Sequence, residues 1–434
     1  MLKVSPYVFT WLAVLALGLA ASPAAAAPLF PVADGLQLWL DAADPATLFQ
    51  DVAMTNPVTS AGQTVRAWAD KSGFGHDALR SGSGTTYQTG ALGGLPTVRF
   101  NRTQMTIAGG LPIENDQDRT MFVIMRYPTQ TQNNEVLGTG TSNMLDVGNW
   151  NRSRRLRIRQ SDNLFSATGS VPENTDMLLT VQGDGAGTYA WRDGGQIINS
   201  TAKRFHWNID GENLGIGGAN FGGREYRGDL AEVVAFDRSL NAAERTIVDN
   251  HLGAKYGLNL ANSRYDGGTD GDYNADVFGV GRADAANQLT SGGLAGLAFN
   301  APNLADDAWL LAGHNTPQNA WTTAGVPDGL TERWDRVWYL DASGTGDLGE
   351  LDLTFDFLAG GLTLDPRGYQ LLYSPDNAYN FGIFPYGGTI DGQTVTFAGL
   401  SGLASGYYTL AIPEPAGVIL LVFGAMALLL WRRR

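Results

Sequence analysis

From Leu36 onward, apolar and polar residues alternate in short bursts separated by glycine-rich turns. Successive strand side chains point to opposite faces, so Leu36, Leu38 and Leu40 are predicted on one side and Gln37 and Trp39 on the other. Further strands are predicted at 64–68, 97–101, 121–127, 155–159, 213–217 and 229–236. The runs 177–182 and 188–192 read as a hairpin around Gly183-Asp184-Gly185. Regularly spaced short strands with glycine turns imply a β-sandwich or jelly roll. One helix stands out. Asn241 followed by Glu244 forms an N-terminal cap, and Gly257 supplies the stop. Leu240, Ile247, Val248, Leu252 and Tyr256 give that helix one apolar face, predicted to close the sandwich.

Residues 262–276 are rich in Gly and Asp and read as a linker between modules. Seven more strands follow, at 277–281, 308–312, 334–340, 351–357, 369–373, 394–397 and 407–410. Their number suits an immunoglobulin-like sandwich. The expected organisation is therefore all-β: a first module at 27–261, a linker at 262–276 and a second module at 277–411.

The two ends follow other rules. Lys3, an apolar run from Val8 to Ala21 and the small residues Ser22 to Ala27 have the order of a secretory signal peptide. Ala24 and Ala26 would occupy the peptidase's two small pockets, which makes residues 1–26 the removed leader. At the other end, Pro413-Glu414-Pro415 precedes an uncharged apolar run from Ala416 to Trp431 and then Arg432, Arg433 and Arg434. As a helix that run reaches about 24 Å, slightly short of a hydrocarbon core. The arginines would stay on the cytoplasmic side. Residues 412–434 resemble the PEP-CTERM sorting signal. That resemblance implies an exosortase that cuts at the motif, a single-pass inner-membrane intermediate through 416–431, and release or attachment at the cell surface. The family accompanies exopolysaccharide or biofilm production.

Cysteine is absent, which excludes disulfides, a thiol nucleophile and thiolate metal sites. Four histidines argue against a histidine-based metal cluster. The formal charge is −14. Loss of Lys3 and the terminal arginines leaves 25 of the 29 basic residues against 43 acidic ones, a charge of −18. Such a surface repels nucleic acid and favours solubility outside the cell.

The stretch Leu38-Trp39-Leu40-Asp41-Ala42, then 65–73 with Trp68, Asp70, Lys71, Ser72 and Gly73, resembles the opening of a concanavalin-like, laminin-G-type jelly roll. Gly228-Asp229-Leu230-Ala231-Glu232-Val233, Asp237-Arg238, the helix and Lys255-Tyr256-Gly257-Leu258 match its close. The resemblance covers about half the chain and implies a surface domain that binds sugars, proteins or lipids; fold alone does not set the ligand. The second region is similar to the module that often follows this jelly roll in bacterial surface proteins.

Four patterns could carry chemistry. Asp270, Asp272, Asn274 and Asp276 alternate in the linker, either as Ca²⁺ ligands or as a solvated acidic turn. Ala275 and Gly281 depart from an EF-type loop, and calcium is the one cofactor in question. Arg155, Arg157 and Arg159 share one face of a predicted strand, beside Arg152 and Arg154. They would either hold an anionic polysaccharide or form the wet face of an edge strand. Glu350, Asp352 and Asp356 superficially resemble a glycosidase strand but have the spacing of an ordinary half-buried strand. Trp150, Trp191, Trp207 and Trp321 are each either a sugar-stacking surface or core. No serine-hydrolase elbow, zinc-protease helix or phosphate loop occurs. The expectation is a non-enzymatic surface protein that binds glycan or matrix or mediates adhesion; a surface glycosidase or lyase and a structural spacer are the alternatives.

Overall fold

A computed structural model describes residues 30–129, 133–140, 143–148, 153–218, 225–315 and 319–414. These form an almost entirely β structure with one α-helix and a single 3₁₀ turn at Pro45–Thr47. An eight-stranded sheet faces a nine-stranded one, and a second nine-stranded sheet faces one of five strands. All strand pairs within the sheets are antiparallel. Leader residues Ala24 and Ala26, tail residues Pro415 and 432–434, and both apolar terminal runs lie outside the described residues. Among the described residues no helix is long and apolar enough to cross a membrane.

The first pair of sheets runs from Leu36 to Phe236. At the centre of the eight-stranded sheet lies Arg119–Arg126, between Met177–Asp184 and Arg227–Phe236. Its run Met121-Phe122-Val123-Ile124-Met125 lacks polar alternation because both faces are buried. Met121, Val123 and Met125 face the opposing sheet, where Leu137, Leu145, Leu156 and Ile216 meet them. Phe122 and Ile124 point the other way and pack under the helix. The first strand departs from prediction. A register shift between Leu36 and Leu38 sends Leu36 to the helix side with Trp39, while Leu38 and Leu40 enter the inter-sheet core.

The helix spans Ala242–Tyr256. The Asn241 side chain accepts from the backbone N–H groups of Ala243 and Glu244, and Glu244 returns a bond to the Asn241 N–H. Gly257 ends the helix at φ +63°, a left-handed conformation that suits glycine. The helix does more than close the first sandwich. Val248, Leu252 and Tyr256 pack on the first module, while Ala243 and Ile247 enter a cluster with Val277, Leu311 and Leu372 of the second. Burying each large apolar side chain stabilises by about 1.5–3 kcal/mol.

The segment at 262–276 is docked rather than extended. Tyr265 and Tyr273 pack with Tyr339 and Tyr407, whose ring centroids lie 5.1–6.4 Å apart. The Tyr407 hydroxyl accepts the N–H groups of Thr269 and Asp270 at 3.2 and 2.9 Å. The second module is also larger than seven strands: its sheets hold nine and five among the described residues. The predicted strand 334–340 is two, Leu330–Trp334 and Trp338–Gly344. Pro413 still belongs to the last strand, opposite Leu330, and the Glu414 N–H bonds the Gly329 carbonyl at 3.1 Å. The fold therefore runs two residues past the predicted boundary at 411.

Candidate functional site: an arginine-lined cavity

On the eight-stranded sheet, Asp229 lies in register between Arg99 on one neighbouring strand and Arg126 on the other. Arg99 donates Nε and Nη2 to the two carboxylate oxygens of Asp229 at 2.8 and 2.9 Å. Thr97 adds a hydroxyl bond to the same carboxylate at 3.3 Å. The hydrogen bonds to Asp229 raise the Arg99 guanidinium above its ordinary range. Arg126 turns instead to Asp176 and pairs with it. Asp229 is almost wholly buried, whereas the Arg99 side chain is 48% exposed. Buried Asp229 anchors the Arg99 plane from inside, and half-buried Asp176 holds that of Arg126.

Two backbone features hold this arrangement. The Tyr226 hydroxyl donates to the Arg126 carbonyl at 2.8 Å, and burial raises the phenol well above its usual pKa, so it stays a donor. Gly228 has φ +149°, and a Cβ there would stand 2.4 Å from the Arg126 carbonyl oxygen. Only glycine lets the strands approach so closely. The result is a cavity of about 560 Å³, lined by Arg99, Arg126, Arg227, Asn101, Asn174 and Thr86 around Asp229. A guanidinium carries five N–H donors, and Arg99 and Arg126 each commit two of their nitrogens to a carboxylate, Asp229 or Asp176. What remains suits hydroxyl and carboxylate oxygens.

The residues singled out from sequence lie elsewhere. Arg155, Arg157 and Arg159 share a face of the strand Arg155–Gln160, as expected. Arg157, however, is buried and pairs with Asp146 across the sheet, so it is not a surface ligand site. Arg155 donates to Thr168 Oγ1 at 2.7 Å. Arg159, opposite Met144, also has a partner. Trp191 and Trp207 are core residues, and half-buried Trp321 stacks with Phe357 and Tyr369. Trp150 lies outside the described residues. Leu351, Leu353 and Phe355 are buried between half-buried Asp352 and Asp356; Asp352 accepts from Asn300 Nδ2 and the Gly399 N–H.

Asp270, Asp272, Asn274 and Asp276 do not converge as a calcium shell. Asp270 accepts the Ala378 N–H at 2.9 Å, and Asp272 accepts the Asn274 N–H at 3.0 Å. Asp276 is the second residue of the strand Ala275–Asp284 and pairs with His314 Nε2 at 3.0 Å. Alternation became strand and turn rather than a closing loop. Among the described residues no group of three or more His, Cys, Asp or Glu side chains can hold a metal ion.

Four of the motif residues behind the jelly-roll resemblance, Trp39, Asp41, Lys71 and Lys255, line a cavity of about 350 Å³ whose other wall includes Asp272, Asn274 and Asp276. Lys255 bridges Asp41 at 2.9 Å and Glu232 at 2.7 Å. Lys71 bridges Asp41 and Asp44, both at 3.0 Å, and lies 4.0 Å above the Trp39 ring. Glu232 also accepts Trp39 Nε1–H at 2.7 Å and the Tyr256 hydroxyl at 2.9 Å. Burial raises Glu232, whereas Lys255 and Lys71 outweigh burial at Asp41 and hold it low. These charges satisfy one another, and the network ties the first strand to the helix.

No family model matches the chain, and no curated protein does. Among solved structures, domain 4 of an extracellular GH43 arabinanase from Geobacillus stearothermophilus, in complex with arabinotriose, is 11% identical, with a TM-score of 0.35 over 47% of this chain and 92% of that one. A Trypanosoma rangeli sialidase is 14% identical, TM-score 0.30, over 48% of this chain and 32% of that one. The carbohydrate-binding CBM40 module of a Ruminococcus gnavus sialidase, bound to sialyllactose, is 13% identical, TM-score 0.25, over 32% and 91%. The chain thus spans about a third of the sialidase's length. Likenesses this slight carry no argument of their own.

Proposed function

We propose that this chain is an exported surface protein that binds polysaccharide without cleaving it. The observation carrying that reading is the 560 Å³ cavity, whose rigid sheet presents guanidinium and amide groups to solvent. Polysaccharides are dense in oxygen acceptors, and a few well-placed polar groups in a preformed cavity are the usual means of orienting a ligand. Asp229 and Asp176, the carboxylates in and beside the cavity, are each held by an arginine. A carboxylate fixed in that way is poorly suited to donate a proton to a glycosidic oxygen.

In this reading the first module is a concanavalin-like jelly roll and the second an immunoglobulin-like sandwich enlarged at its edges. The translocon and signal peptidase handle residues 1–26, and an exosortase acts at Pro413-Glu414-Pro415. The 416–431 run serves as a transient membrane segment. Cell fractionation tests export, with processed protein expected at the surface or in the medium; intact protein in the cytosol contradicts it. A glycan array combined with a reducing-end assay tests the activity. Binding without turnover supports the reading, new reducing ends favour a glycosidase, and no response leaves a structural spacer.

A further inference from the structure

Resting on the sorting reading above, we infer that the second module latches its own cleavage motif, so that processing at Pro413-Glu414-Pro415 waits for the end of the last strand to fray. The strand Gly406–Pro413 runs beside Leu330–Trp334, with Ala411 opposite Arg333, Ile412 opposite Glu332 and Pro413 opposite Leu330. Ile412 is 2% exposed and belongs to the inter-sheet core. Its carbonyl accepts the Thr331 hydroxyl at 3.2 Å. Pro413 is half-buried and has no N–H to give to the ladder. The Glu414 N–H donates to the Gly329 carbonyl at 3.1 Å. Pro413 and Glu414 are therefore held by the folded module rather than carried on a tether.

The hold is graded. Ile412 is fixed by its buried side chain, whereas Glu414 is exposed and tied through its backbone N–H. A strand end of that kind opens locally without global unfolding. A protease needs a free, extended stretch of chain, and burial with backbone hydrogen bonding sets how often one is offered. The acceptor of the outermost bond is itself fixed by a turn. The Leu330 N–H returns to the Pro327 carbonyl at 3.3 Å, and Gly329 has φ +85° at the third position. That is the conformation a type II turn asks of glycine. The apolar run begins at Ala416, which leaves Pro415 alone between the last tied residue and that run. Free backbone around the motif must come from the strand end.

The test follows processing of the full chain by pulse-chase in the exporting cell. Gly329→Val puts a β-branched residue at a left-handed turn position, leaves the motif intact and meets nothing within 4 Å at its Cβ. It is expected to shorten the processing half-time about fivefold, the worth of one net hydrogen bond. A short Gly-Ser spacer between Ile412 and Pro413 frees the motif directly and is expected to do the same. The same spacer between Pro415 and Ala416 separates the motif from the apolar run without freeing it, and no acceleration is expected. A wild-type half-time with Gly329→Val or with the first spacer overturns the latch while the sorting reading stands. Equal acceleration by the two spacers also overturns it, because the constraint would then lie at the membrane. Absence of cleavage at the motif in wild type and variants alike removes the sorting reading and the latch with it.

Discussion

Lys255 stands between Asp41 and Glu232, and its removal leaves two buried carboxylates facing each other with only Lys71 to compensate. Breaking a buried pair in this way costs about 3–5 kcal/mol. Lys255→Met is therefore expected to lower the urea midpoint by that equivalent; a change within the scatter of surface variants would contradict the network's role. Asp249 makes a second residue-scale case. It is fully buried on the helix, accepts the Thr180 hydroxyl at 3.1 Å and Asn262 Nδ2 at 2.8 Å, and burial pushes its pKa up to about 6. The folded state thus binds this proton more tightly than the unfolded chain, whose Asp titrates near 3.8. The stabilisation is complete below pH 4 and is lost as pH rises towards 6, by an amount on the order of 3 kcal/mol. Asp249→Asn should remove that dependence, so its stability relative to wild type rises between pH 4 and pH 7. Parallel stability curves for the two proteins would refute the assignment.

Among the elements, the helix Ala242–Tyr256 is the joint between modules. Its capping residues and glycine stop are legible from sequence because they act within a few positions of one another. Its second buried face was not, since Ile247 meets Val277 and Leu372 only when both sandwiches are built. Ile247→Ala is expected to cost about 2–5 kcal/mol and to separate one denaturation transition into two. A single unshifted transition would mean that the modules do not share this core. The strands divide in the same way. The continuous apolar run 121–125 reads directly as a strand buried on both faces, whereas the bulge beside Leu36 reverses a face that alternation predicts. The arginines follow suit: those at 155–159 are close in sequence, whereas Arg99, Arg126 and Asp229 meet only through strand register.

For the whole molecule, composition speaks to environment more than to ligand. A chain with no cysteine and a formal charge of −14 relies on its cores for stability and on its surface charge for solubility. Its sheets bury two inter-sheet cores, and the helix with its flanking clusters joins them. That construction leaves the arginine-lined cavity on a sheet backed by core rather than on a free loop, a setting for holding a polymer in place. The most direct measurement is calorimetric titration of the full chain with purified exopolysaccharide, with reducing ends followed in the same sample. Saturable heat and a constant number of reducing ends are the predicted result. An absence of binding heat, or a steady release of reducing ends, would contradict it.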